Sequence, residues 1–181
     1  MTTRLQPVDV EKATGDTKAV LDTVQQRMGR VPNIMKLMAN SPAAVKAYLD
    51  MTAALGGGVL SPKQREQIAI TCAETNNCEY CLSAHYARGK AIGMTDKELD
   101  EARMERAEDP KTDAILSFTR LLLTRKGEIS DESFAPFKGV LSDAEVTETI
   151  AHVGLNVFAN YFNIVAKTEN DFPKIKTAFP V

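Results

Sequence analysis

The segment Asn77-Cys78-Glu79-Tyr80-Cys81-Leu82-Ser83-Ala84-His85 sets two cysteines three apart, with a histidine four further on. The chain holds three cysteines and two histidines, so three of those five side chains fall within eight residues. Two thiols at this spacing can close a disulfide, and a nearby imidazole can take a thiol proton. That is equipment for thiol redox chemistry, in which the thiolate attacks a peroxide or a disulfide. On a helix starting at Cys78, the pair and His85 stand at i, i+3 and i+7, within about 60° of one face at 3.6 residues per turn. Free N–H groups in the first turn of that helix favour a thiolate.

Glu66 is the candidate that orients the imidazole. On one continuous helix it would lie about 18 Å from Cys78 at 1.5 Å per residue, out of reach. Asn76-Asn77 reads as a break, however, and an αα-hairpin folded there brings residues equidistant from the turn together. Glu66 is then level with His85. A carboxylate beside an imidazole raises its basicity, which yields a relay from Glu66 to His85 to Cys81, with Cys78 as the resolving thiol. Helix-start position alone favours Cys78 as the more acidic thiol; proximity to His85 favours Cys81, and we follow the second.

The elements that must position these residues read as helix after helix. No run of alternating β-branched residues bounded by turn pairs appears, as a sheet would require. A first helix is expected from Glu11 to Met28 with Ala19, Val20, Val24 and Met28 inward, then a short one over 33–39. Ser41-Pro42 and Ser61-Pro62 are start signals, a serine cap followed by proline at the first helical position. They open helices that end at Gly56-Gly57-Gly58 and near Thr75. The cysteine helix runs from Cys78 to about Ile92, stopped by Gly93. Thr95-Asp96-Lys97-Glu98 is a capping box, and Asp109-Pro110 opens a helix to Lys126. Segments 130–138 and 142–166 complete the set, the last expected to be central and buried because it is apolar on most faces. The tail, with Pro173 and Pro180, reads as irregular. One internal echo stands out. Leu60-Ser61 and Leu141-Ser142 each open a long helix, and Tyr80 and Tyr161 share the offset of 81, the pattern a degenerate internal repeat would leave. The fold class is all-α, a single-domain helical bundle over residues 1–181 with its core motif at 60–101.

Glu66, the Asn77-Cys78-x-Tyr80-Cys81 run and His85, set after Leu60-Ser61 and before Gly93-Met94-Thr95, resemble the alkylhydroperoxidase D-like branch of the carboxymuconolactone decarboxylase family. The likeness is strongest from Leu60 to about Glu101. It implies an all-helical homo-oligomer, a dimer, trimer or hexamer. It also implies a peroxidase in which Cys81 attacks the hydroperoxide, Cys78 resolves, and Glu66 and His85 relay protons. The decarboxylase members lack the cysteine pair. Some peroxidase members carry a further histidine where this chain has Tyr80.

Other chemistry fits less well. Two cysteines, His85 and Glu66 could make four metal ligands, but structural zinc usually draws on two separated ligand pairs, and no second pair exists. No metal and no bound cofactor is expected. Cys72, inside Ile68-Ala69-Ile70-Thr71-Cys72-Ala73, reads as a small buried residue, and His152 as a hydrogen-bonded core histidine. Met35, Met38 and Met51 read as core. Asn156, Asn160 and Asn163 recur at helical spacing and bond either across a subunit interface or to backbone. A net charge of −2 leaves no basic footprint for nucleic acid. The longest apolar stretch, 150–166, is broken by His152 and three asparagines and is too polar to span a bilayer. The N-terminus has no apolar core or cleavage site, so a reducing cytoplasm is expected. The expected partners are a hydroperoxide substrate and an external dithiol reductant. The alternatives are a protein disulfide reductase or redox relay, and a non-enzymatic redox sensor or oligomeric scaffold.

Overall fold

Nine α-helices and no β-strand make up residues 3–178, the part of the chain that the computed structural model describes. The all-α class expected from the sequence is the observed one. In chain order the helices are α1 (Gly15–Met28), α2 (Asn33–Met38), α3 (Pro42–Gly56), α4 (Pro62–Thr75), α5 (Glu79–Ala91) and α6 (Asp96–Arg103). They continue with α7 (Pro110–Arg125), the single turn α8 (Asp131–Phe134) leading into a short 3-10 turn, and α9 (Asp143–Ala166).

The start signals work as side-chain caps. Ser41, Ser61, Thr95, Asp109 and Ser142 each accept an N–H from the first turn of the helix they open. Ser61/Gln64, Thr95/Glu98 and Ser142/Glu145 are reciprocal capping boxes, which satisfy two otherwise orphan donors at each start. Two elements depart from expectation. α1 begins at Gly15 because Asp9 takes the Glu11 N–H on its carboxylate at 3.1 Å and the Lys12 N–H on its carbonyl at 3.2 Å, closing a turn there. Its buried residues are Leu21 and Val24, with Val20 and Met28 half-buried and Ala19 exposed. Segment 130–138 is not one helix. Pro136 has no N–H and its ring crowds the carbonyl a turn back, so the segment splits into α8 and the 3-10 turn.

α4 is the central helix. Gln67 to Glu74 are buried without interruption, and α5, α6, α7 and α9 pack around them. This corrects the expectation for α9, which buries His152, Asn156, Asn160 and Asn163 on one face but leaves Phe158, Tyr161, Ile164 and Val165 exposed. Apolar content does not enclose a helix; neighbours on every side do. Met35 and Met38 are core as expected, whereas Met51 on α3 is 37% exposed. The internal echo holds at the two capping boxes of Ser61 and Ser142 and then lapses, because Tyr80 lies in α5 beyond a break and Tyr161 inside the unbroken α9.

The chain beyond α9 is irregular, as expected, and returns across α5. Asn170 Nδ2 and the Ile175 N–H both donate to Ser83 Oγ, at 2.8 and 3.0 Å, and Glu74 accepts the Ala178 N–H. Pro180 lies outside the described residues. Among the described residues no helix is long and apolar enough to cross a membrane.

Candidate active site

The turn between α4 and α5 assembles the site. α4 is capped by Asn76, Asn77 takes a left-handed φ of 56°, and the Cys78 N–H donates back to Ala73 O at 2.8 Å. Asparagine tolerates that conformation better than most residues. The expected fold-back is therefore present, and α5 returns along α4. His85 Nδ1 lies 2.7 Å from Glu66 Oε2.

Cys78 is the N-cap of α5, and its sulfur accepts the Cys81 N–H at 3.3 Å. The two cysteines are joined by a disulfide, with their Cα atoms 5.4 Å apart. Both are buried, at 2% and 3% exposure. They differ in what they face. Cys81 lines a cavity of about 280 Å³ together with Tyr80, His85, Arg88, Asn163 and Phe172, whereas Cys78 does not line it.

Burial pushes the Glu66 carboxyl upward, but the charge and hydrogen bond of His85, then Arg88 and Arg65, outweigh it and hold the group below the ordinary glutamate range. Arg88 Nε stands 3.6 Å from Glu66 Oε1, and that carboxylate in turn raises the Arg88 pKa. Glu66 is therefore an anion at neutral pH. With Nδ1 committed to Glu66, Nε2 is the His85 nitrogen left to exchange a proton with a thiol or substrate.

Four further side chains complete the surroundings. Tyr80 both lines the cavity and packs. Its hydroxyl donates to Asp171 Oδ1 at 2.9 Å and accepts the Ile34 N–H at 3.3 Å, and its ring meets Phe172 edge-on at 5.7 Å. Asn163 Nδ2 donates to Cys81 Sγ at 3.2 Å. Asn76 Nδ2 donates to Asn160 Oδ1 at 2.8 Å, so two of the α9 asparagines serve the α4–α5 pair. His152 is buried at 5% exposure as expected, but its Nε2 has no hydrogen-bond partner among the described residues. It borders a smaller cavity of about 70 Å³ shared with Glu66, His85, Arg88 and Asn156. Burial, then the Arg65 charge, lowers its pKa. Cys72 is a free buried thiol, and burial raises its pKa far above the usual range. The asparagine spacing was visible in sequence; the sulfur that Asn163 reaches was not.

A model of the carboxymuconolactone decarboxylase family matches residues 42–123, a span that holds Glu66, Cys78, Cys81 and His85. Over that span, a little under half of the chain, the sequence is similar to the carboxymuconolactone decarboxylase family. Solved structures extend the likeness beyond the family segment. The alkylhydroperoxidase AhpD core of a peroxidase-related protein from Ralstonia eutropha JMP134 superposes with a TM-score of 0.80 at 21% identity, covering 94% of this chain and 93% of that one. A peroxidase-related protein from Silicibacter sp. TM1040 gives 0.77 at 20% identity, covering 93% of each chain. The debrominase Bmp8, as a cysteine-to-alanine variant in complex with 2,3,4-tribromopyrrole, gives 0.78 at 17% identity, covering 94% and 93%. These likenesses establish the fold, which is the AhpD-like helical one. No curated protein matches the chain in sequence.

Proposed function

We propose that this protein is a thiol-dependent peroxidase that reduces hydroperoxides through Cys81 and Cys78. The observation that carries the reading is a disulfide-forming pair with only Cys81 facing the cavity, beside the His85–Glu66 dyad at 2.7 Å. In the reduced protein His85, oriented by the Glu66 anion, takes the Cys81 proton. The thiolate attacks the terminal peroxide oxygen, the O–O bond breaks, and the alkoxide leaves as the alcohol with the proton returned by His85. Cys81 is then a sulfenic acid. The Cys78 thiol attacks that sulfur, releasing water and forming the disulfide. An external dithiol delivers two electrons and two protons by exchange and restores both thiols.

The Asn163 amide beside Cys81 supports Cys81 as the attacking thiol, because a hydrogen bond to sulfur favours its anionic form. The N-cap position of Cys78 supports a resolving thiol held ready at the helix start. The remaining parts of the proposal are a single domain over the whole chain, a cytoplasmic setting and a homo-oligomer. The apolar side chains left exposed along α9 support the last of these.

A second reading is reductive dehalogenation, favoured by the likeness to the debrominase Bmp8 and by the aromatic Tyr80 and Phe172 in the cavity wall. The same dithiol would supply two electrons, replacing a carbon–bromine bond by carbon–hydrogen and releasing bromide. One experiment separates the readings. Reduced protein is mixed with cumene hydroperoxide or with 2,3,4-tribromopyrrole, and thiol loss, peroxide consumption and bromide release are followed with a dithiol donor. Loss of two thiols per chain with repeated peroxide turnover supports the peroxidase. Thiols that persist in excess peroxide defeat it, and bromide release under those conditions selects the second reading. Oxidation by protein disulfides alone selects a redox relay.

A further inference from the structure

The cavity over Cys81 has a wall of one charge sign. Arg27, Arg30 and Arg88 line it together with His85, and no aspartate or glutamate does. Two of the three are already paired. Arg88 faces Glu66 at 3.6 Å, and Arg30 bonds Asp171 at 3.0 Å while lying 4.4 Å over the Phe172 ring. Arg27, in the last turn of α1, has no carboxylate partner among the described residues. Its hydrogen bond is a long one, 3.4 Å from Nη1 to Leu49 O. That leaves most of a planar fork that grips carboxylates bidentately. The rest of the wall is largely apolar, with Met28, Pro32, Ile34 and Phe172.

Hydrogen peroxide would use neither an apolar wall nor a free guanidinium. A volume of about 280 Å³ lies at the lower end for small-molecule sites and suits a compact body over a long acyl chain. We infer that the cavity takes a compact organic hydroperoxide bearing a carboxylate. Its peroxide end meets Cys81 and His85, its hydrocarbon body lies against Met28, Ile34 and Phe172, and its carboxylate pairs with Arg27. This substrate class rests on the peroxidase reading above. The unpaired charge of Arg27 also draws an anion toward the cavity.

The test uses full-length reduced protein, a dithiol donor, and two hydroperoxides of one body: cumene hydroperoxide and its para-carboxylate. The carboxylate should be preferred in kcat/KM by about tenfold or more at low salt, mostly through KM, with the preference shrinking as ionic strength rises. Arg27→Gln should bring the ratio of the two substrates near one, and Arg27→Lys should leave an intermediate ratio. Equal use of both substrates by the wild type, or a ratio that Arg27→Gln leaves intact, overturns the inference while the peroxidase reading stands. The unreactive para-isopropylbenzoate separates the two in the other direction. It should bind the oxidised protein in calorimetry and lose that binding in Arg27→Gln. If neither hydroperoxide is consumed and the benzoate still binds through Arg27, the peroxidase reading fails and the anion site stands. No binding of the benzoate to the wild type overturns the site.

Discussion

Asn163 of α9 donates a side-chain N–H to the sulfur of Cys81 on α5, at 3.2 Å and across 82 positions of sequence. Both side chains are buried and stand together in the wall of the cavity. A hydrogen bond to a charged group contributes about 1.5–3 kcal/mol. Asn163→Ala should therefore raise the Cys81 thiol pKa and slow its oxidation by roughly ten- to a hundredfold. The pH dependence of thiolate absorbance and of alkylation rate, read in a Cys78→Ser background, checks this. An unchanged pKa would reduce Asn163 to a packing role.

The division of labour between the cysteines is directly measurable. Cys81→Ser should stop peroxide turnover, because no cavity-facing thiol remains. Cys78→Ser should allow one oxidation per chain and then stall at the Cys81 sulfenic acid. Dimedone trapping followed by mass spectrometry reads the position. An adduct at Cys78 in Cys81→Ser, with turnover retained, would reverse the assignment.

Glu66→Gln keeps the shape of the dyad and removes its charge. Activity should fall by on the order of a hundredfold, the scale of a lost acid–base contribution. The variant also has a stability signature. Burial opposes the Glu66 charge, but His85, Arg88 and Arg65 prevail, so the folded carboxyl titrates below its unfolded value. The unfolded chain then binds this proton more readily than the folded one. The resulting stability is fully present above the unfolded value of about 4.3, and is lost as pH falls through the lower folded value. Thermal melts should show the gap between wild type and Glu66→Gln narrowing across that acidic window. A gap that stays constant with pH would contradict the charge argument.

Tyr80→Phe deletes the hydroxyl that serves both Asp171 and the Ile34 N–H. Leaving buried partners unpaired costs about 1–3 kcal/mol. The melting temperature should drop by roughly 2–10 °C for a chain of this size. Amide exchange at Ile34 and at the backbone N–H groups near Asp171 should quicken in parallel. A variant as stable as the wild type would mean that water replaces the hydroxyl.

Much of the scaffold was legible because its signals are local. The Ser41-Pro42 and Ser61-Pro62 starts, the Thr95 capping box and the Asn76-Asn77 break involve residues within one turn of each other, so composition at a few positions decides them. The Glu66–His85 contact was legible for a related reason. Once the break is placed, a hairpin's register follows from counting away from the turn, and the 2.7 Å contact is where that count puts it. Expectation failed where a competing local group intervened, as with the Asp9 turn that delays α1 and Pro136 that divides segment 130–138.

The residues of the chain by themselves determined an all-α fold, most of its helix starts, and the joining of two thiols, an imidazole and a carboxylate in one hairpin. Only the tertiary structure decided which helix is enclosed, which cysteine faces the cavity, and what stands beside it. Asn163 and His152 arrive from α9, Arg27 from α1, and Asp171 and Phe172 from the returning tail. No spacing rule links such distant segments. Their meeting is set by how whole helices pack around α4, and packing depends on every face at once.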